Sequence, residues 1–150
     1  MAGRPRRAAR PRPGGGAALT ALLLDTTFLI GVERGGPGLD EAIGDGDDVA
    51  IAAVTLAELR VGAHLATGRR AADRAAFVDA VAVGMLIVGY DAVVAEVHAE
   101  LLAHTRRQGR PRSAHDLIVA ATARAHDRAV LTADASGFAD LPRVVVRAHG

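Results

Sequence analysis

Cysteine and lysine are both missing from this chain of 150 residues, and each absence closes off a body of chemistry. Without cysteine there is no disulfide framework, no thiolate nucleophile and no cysteine-based zinc site. Without lysine, all 18 basic residues are arginine. P-loop nucleotide sites, Schiff-base enzymes and phospho-acceptor receiver domains are excluded, because each depends on a lysine. Aromatic residues are scarce too, at 3%, although half the chain is apolar. The core must therefore be built from Ala, Val, Leu and Ile. No apolar run approaches the roughly 18 residues that a membrane-spanning helix needs, so no membrane association is expected.

Acid is missing from one end. Residues 1–16 hold five arginines (Arg4, Arg6, Arg7, Arg10 and Arg12) and no carboxylate, which leaves 13 basic against 17 acidic residues elsewhere, a net of −4. The first 18 residues, rich in Arg, Pro and Gly, are expected to be a disordered basic tail. A secretory signal is not expected, since the apolar stretch Ala17–Leu24 is short and runs into Asp25 with no small-residue cleavage site. Residues 19–150 make one domain's worth of chain. A cytoplasmic, reducing setting fits the composition. The mildly acidic body offers no broad electrostatic platform for nucleic acid. Contact with a phosphate backbone would fall to local arginines, with Arg34, Arg60, Arg112 and Arg124 the candidates, or to metal ions.

Hydrophobic patterning alternates between strand and helix. The buried-strand run Leu22-Leu23-Leu24 ends at Asp25. A short helix over 26–34 follows, stopped by Gly35-Gly36-Pro37, then another near 38–43. Val49–Ile51 reads as a second strand and 55–66 as a helix opened by Thr55 and broken at Gly68-Arg69-Arg70. A further helix runs to Val83, ahead of a strand at Met85–Val88. Asp91 is expected to cap a long helix to Gln108 with Val93, Val97 and Leu101 on its inner face. Ser113 opens the helix 113–127, with Ala114, Leu117, Ala121 and Ala125 inward. Ala129–Thr132 and Val144–Val146 complete the strands. Such alternation predicts an α/β fold with a mostly parallel sheet.

Four acids then stand out. Asp25, Glu58 and Asp134 each follow a strand within a few residues, and Asp116 lies at the start of the helix before the strand that Asp134 follows. Each has a local explanation: a helix cap for Asp25, a capping box Thr55–Glu58, a box Ser113–Asp116, and an Asx turn at Asp134. Their recurrence is what local explanations miss. In a parallel sheet these positions converge on one edge. Carboxylates crowded there repel one another unless a cation neutralises them. An oxygen-rich set without a Cys or His cluster selects a hard ion, Mg²⁺ or Mn²⁺. Gly62, one turn after Glu58, hints at close access beside that residue. Ala120 and Ala123 leave room for Asp116 to face a cleft. His115 could reach a phosphate, but neighbouring helical residues face different ways, and its expected place is the surface.

Taken together, Leu24-Asp25-Thr26-Thr27, Glu58-Leu59-Arg60-Val61-Gly62, His115-Asp116-Leu117-Ile118-Val119-Ala120-Ala121 and Leu131-Thr132-Ala133-Asp134 resemble the motifs of PIN-domain ribonucleases. The likeness is greatest to the VapC-type toxins of bacterial toxin–antitoxin pairs, and it spans about residues 20–147. It implies a three-layer α/β/α sandwich and a Mg²⁺- or Mn²⁺-dependent endoribonuclease that hydrolyses RNA with metal-activated water. It further implies Asp25 and Asp116 as the principal metal ligands, with Glu58 and Asp134 completing the acidic site directly or through water. Thr132 and one of Thr26 or Thr27 would orient the carboxylates. A homodimer and a small cognate antitoxin are the implied partners.

Two rivals stand beside this. One is a catalytically silent PIN-like module that only docks a partner. The other is a metal-dependent nuclease acting on DNA, since no residue pattern reports a 2′-hydroxyl contact. An aspartyl-nucleophile phosphatase would want a second Asp at position 27, where this chain has Thr.

Overall fold

The computed structural model describes residues 20–149; the basic tail expected at 1–18 lies outside them. Five strands form one sheet: β1 (Ala21–Leu24), β2 (Asp48–Ala52), β3 (Leu86–Val88), β4 (Ala129–Thr132) and β5 (Val146–Ala148). Their spatial order is β3-β2-β1-β4-β5, and every neighbouring pair is parallel. The triple leucine of β1 therefore sits at the centre, paired on both sides, with Leu23 opposite Ala50 on one neighbour and Val130 on the other.

Period-two alternation explains why three leucines in a row are all fully buried. Leu23 points to one face, with Ala50, Ala52 and Val130, under helices α5 (Ala92–Gln108) and α6 (Ala114–Ala125). Leu22 and Leu24 point to the other, with Ile51 and Leu131, under α1 (Thr26–Glu33), α2 (Leu39–Ala42), α3 (Ala53–Leu65) and α4 (Gly68–Gly84). The result is the three-layer α/β/α arrangement with a parallel sheet, as expected. Truncating any of the three leucines to Ala should cost about 2–5 kcal/mol.

Several local expectations are met by the predicted chemistry. Asp91 caps α5 by accepting the Val94 N–H at 3.0 Å, and Gly109 closes that helix in the left-handed conformation, φ 62°. Ser113 caps α6 by accepting the Asp116 N–H at 3.0 Å.

Others are corrected. Helix α3 starts at Ala53, directly after β2, so Thr55 lies within its first turn rather than at its cap. The Thr55 hydroxyl is buried without a partner, and the expected Thr55–Glu58 capping box does not form. The break after α3 falls at Ala66 and Thr67, and Gly68 (φ +61°) opens α4 rather than ending α3. On α5 the inner face is Val94 and Leu101, not Val93, which is 58% exposed. On α6 Leu117 and Ala121 are buried as expected, but Ala114 is exposed. Strand β5 begins two residues late, at Val146. Left-handed turns at Asp140 and Arg143 hold the preceding chain in a coil that a hydropathy pattern cannot register.

Candidate active site

Because the sheet is parallel, the C-terminal ends of β1, β2 and β4 share one edge, and the residues that follow them meet there. Asp25 comes directly after β1 and is tied in place by its own N–H, which donates to Leu131 O on β4 at 2.9 Å. It stands at the N-cap position of α1 but makes no capping bond with its side chain. The carboxylate is instead 2% exposed and turned into the fold. Its Oδ2 accepts the hydroxyls of Thr27 and Thr132, each at 2.9 Å. Those hydroxyls are themselves oriented by backbone donors: Ala133 N–H to Thr27 Oγ1 at 3.3 Å, and Asp134 N–H to Thr132 Oγ1 at 3.0 Å. Two peptide dipoles thus act through two hydroxyls on one oxygen. The other oxygen, Oδ1, faces His115 Nε2 at 4.0 Å.

His115, expected at the surface, lies inside the site. It occupies the first turn of α6, where the helix has barely begun and successive residues can both reach the sheet edge. Its side chain is 16% exposed and lies between two acids. Nε2 is 3.2 Å from Thr26 Oγ1, so Thr26 holds the imidazole while Thr27 holds Asp25. Nδ1 is 3.2 Å from Glu58 Oε1 but not aligned for a hydrogen bond, and it is buried without a partner. Glu58 reaches in from α3 with its carboxylate nearly half exposed.

Asp116 sits beside His115, half-buried, on the far side of the cluster. Burial raises its carboxyl above the ordinary range; the charges of Asp25 and Asp134 push the same way, while the Ser113 hydroxyl and His115 oppose them. The space it occupies is made by Gly137: a Cβ built there would lie 2.5 Å from Asp116 Oδ2. Ala120 and Ala123, expected to open that space, are fully buried core residues instead. Gly62 is likewise no opening toward Glu58, since a Cβ there would meet Arg74 Nη1 at an ordinary 3.6 Å.

Asp134 is exposed and keeps its turn role as well. Its Oδ1 accepts the Ser136 N–H at 3.1 Å and the Ser136 hydroxyl, which together hold its carboxyl below the usual range. Arg112 fastens this loop to the start of α6 by donating to Ser136 O at 2.7 Å and Ala139 O at 2.6 Å. Arg60 pairs with Asp79 at 2.7 Å, and Arg124 pairs with Glu100. Of the four arginines expected to meet a phosphate backbone, only Arg34 is exposed and outside any ion pair among the described residues.

So the four predicted acids do gather on one edge. Among the described residues, however, no three His, Asp or Glu side chains stand close enough to enclose an ion by themselves. No helix of the described residues is long and apolar enough to cross a membrane.

The PIN domain family model matches residues 22–144 of this chain. The chain belongs to the PIN-domain family. Within it, the chain is 35% identical over 124 residues to Ribonuclease VapC4 of Mycobacterium tuberculosis, covering 83% of this chain and 93% of that protein. It is 40% identical over 113 residues to Ribonuclease VapC5 of the same organism, covering 75% and 82%. Among solved structures it superposes on VapBC-5 from Mycobacterium tuberculosis, described as a member of the VapBC family of toxin–antitoxin systems. That match has a TM-score of 0.73 at 34% identity and covers 87% of this chain and 99% of the other.

Three residues of this PIN domain matter to the site beyond the predicted set. His115 carried a signal in its adjacency to Asp116, but helical periodicity argued it outward. Gly137 and Arg112 carried none, because their roles depend on a loop closing back onto α6.

Proposed function

We propose that this PIN domain is an endoribonuclease that requires a divalent cation, Mg²⁺ or Mn²⁺, and that it serves as the toxin of a toxin–antitoxin pair. The carrying observation is Asp25: a carboxylate at a helix N-cap position that declines to cap, is buried, and has one oxygen fixed by two hydroxyls while the other faces three more acids' worth of crevice. A structural acid would be neutralised by an arginine, and no arginine of the described residues pairs with it. The names of the relatives, both ribonucleases, supply the substrate class.

The donor set suits a hard cation. Mg²⁺ retains several waters and takes one or two protein carboxylates rather than a closed cage, so the lack of a three-residue cluster does not oppose it. Asp25 Oδ1 and the Asp116 carboxylate would hold the ion, and Glu58 and Asp134 would border it. When bound, such an ion lowers the pKa of a water and offsets charge on the scissile phosphate. Thr27 and Thr132 keep Asp25 Oδ2 occupied, so that Oδ1 alone is presented. Gly137 keeps the Asp116 carboxylate close to the cluster. Arg34, exposed after α1, is available to an RNA backbone. A small antitoxin protein is the proposed inhibitor, by likeness to the VapBC-5 structure. A second copy of the chain is the proposed partner for the free β3 edge, where Leu86 and Val93 are exposed.

The test is cleavage of a mixed RNA pool by purified protein with Mg²⁺ or Mn²⁺ and with EDTA, a single-stranded DNA pool running in parallel. Asp116→Asn is assayed alongside, its fold checked by circular dichroism. Cation-dependent RNA cleavage that a folded Asp116→Asn lacks is the expected result. Equal cleavage in EDTA would overturn cation dependence, and preferential DNA cleavage would overturn the substrate. No cleavage, with no Mn²⁺ uptake by calorimetry, would leave a partner-binding module.

A further inference from the structure

We infer that His115 is a nitrogen ligand of the same cation, through Nδ1 and beside Glu58, and that it tilts the site toward Mn²⁺ over Mg²⁺. This rests on the cation-dependent reading above and makes it more specific.

The geometry of one ring carries the argument. Nε2 lies 3.2 Å from the Thr26 hydroxyl, and Nδ1 lies 3.2 Å from Glu58 Oε1. With the proton on Nε2, donated to Thr26, Nδ1 presents a lone pair toward a carboxylate oxygen. Two lone-pair donors at that separation repel unless a cation lies between their axes. With the proton on Nδ1 instead, the N–H is not aligned on Glu58, and a buried donor is left without an acceptor. Neither arrangement of the isolated protein satisfies this nitrogen. An ion does.

The spacing agrees. Adjacent donors on an octahedral ion with bonds of about 2.1 Å stand about 3 Å apart, and their bonds converge off the line that joins them. Nδ1 and Oε1 have that separation and that lack of mutual alignment. Ligating histidines also hold their second ring nitrogen with a fixed partner, which orients the ring; the Thr26 hydroxyl, 7% exposed at the start of α1, is placed to do this. His104 and His149 each bury an unpartnered Nε2 as well, but among the described residues neither stands in ion-pair reach of a carboxylate. The combination of an unpartnered nitrogen and a neighbouring acid belongs to His115.

Selectivity follows from ligand type. Mg²⁺ favours all-oxygen surroundings, whereas Mn²⁺ lies on the transition-metal series whose affinity for nitrogen donors rises along it. Asp25, Glu58 and Asp116 alone would leave the choice to concentration. An imidazole added to them favours Mn²⁺.

The experiment uses the untagged protein. Calorimetric titrations with Mn²⁺ and, separately, Mg²⁺ give the ratio of affinities, and pulsed electron paramagnetic resonance of the Mn²⁺ complex reads nitrogen coupling from a bound imidazole. Nitrogen coupling is expected in the wild type and its absence in His115→Ala. Mn²⁺ affinity in that variant should fall by about tenfold or more, at least as much as loss of a supporting group costs a metal site, and Mg²⁺ affinity by much less. The wild-type spectrum stands as a test even should His115→Ala fold poorly, and His115→Gln supplies a second variant. Mn²⁺ bound to the wild type without nitrogen coupling, or equal loss for both ions in His115→Ala, would overturn the ligand role and leave the cation-dependent nuclease standing. No Mn²⁺ binding by the wild type would overturn both.

Discussion

The two edges of the sheet treat charge in opposite ways. At the N-terminal edge every acid has its partner. Arg128, just before β4, donates to Leu22 O at 3.2 Å, to Asp48 O at 3.1 Å and to the Asp48 carboxylate at 3.0 Å. Asp47 accepts the N–H groups of Gly44 at 2.8 Å and Thr20 at 3.0 Å, which hold its carboxyl below the ordinary range. At the C-terminal edge four acids gather, and the only basic side chain of the described residues within ion-pair reach of them is His115. A fold that settles its charges locally at one end has no physical need to leave them unsettled at the other. The imbalance marks the C-terminal edge as the end built for something to bind.

The largest effect should come from exchanging the two ends' roles in a pair of variants. Asp25→Asn removes charge from the site without changing shape, and RNA cleavage should fall by about 100-fold or more, the scale of losing an ion's charge stabilisation, with the circular dichroism spectrum unchanged. Arg128→Met should do the reverse. It strands two carbonyls and Asp48, and because Asp48 is largely exposed the cost is discounted to about 2 kcal/mol. Cleavage per folded molecule should be unaltered. Urea unfolding and a single-turnover assay on both proteins decide it. Were Asp25→Asn to cleave normally while losing stability like Arg128→Met, the contrast between the edges would collapse.

How much of this was readable in the chain follows the same division. Leu22–Leu24, flanked by alternation of strand and helix, fixes a central parallel strand, and parallel strands send Asp25, Glu58, Asp116 and Asp134 to one edge. Those inferences depend only on local period and chain direction. Thr132 was legible for the same reason. The boundary of α3 was not, because a helix that continues straight from a strand needs no cap, and Thr55 mimicked one. The start of β5 was hidden by left-handed residues at Asp140 and Arg143. His115, Gly137 and Arg112 act across separations of 21 to 89 residues, where no local pattern reaches.

A smaller effect, and a sharper one, separates two glycines. Gly137→Ala puts a Cβ where Asp116 Oδ2 now lies, 2.5 Å away. The carboxylate can swing aside, so stability should change little, but a displaced ligand should cost about 10- to 100-fold in cleavage, as misplacements near 1 Å do. Gly62→Ala, in mid-helix, meets only Arg74 Nη1 at 3.6 Å. It should gain about 0.5–1 kcal/mol of stability and leave cleavage intact. Equal cleavage by the two variants would mean that Gly137 does not set the Asp116 carboxylate.

The smallest effect concerns the acids without a cation. Burial raises the folded-state pKa of Asp116 above its ordinary 3.8, so the folded protein binds that proton more tightly than the unfolded chain does. Above the raised value the carboxylate is charged in both states and the fold carries the cost. That cost disappears as pH falls through the raised value toward 3.8. Asp116→Asn, in EDTA, should therefore melt a few degrees higher than the wild type at neutral pH, and the gain should shrink on acidification. Asp134 and Asp47 have the opposite sign, because their carboxyls are held below 3.8, and whatever they contribute is lost as pH falls through those lowered values. Melting curves from neutral pH to below the carboxylate range read all three. An Asp116→Asn gain that stays constant across that range would have its origin in packing, and the crowding of charge at this edge would then be too weak to call for a cation.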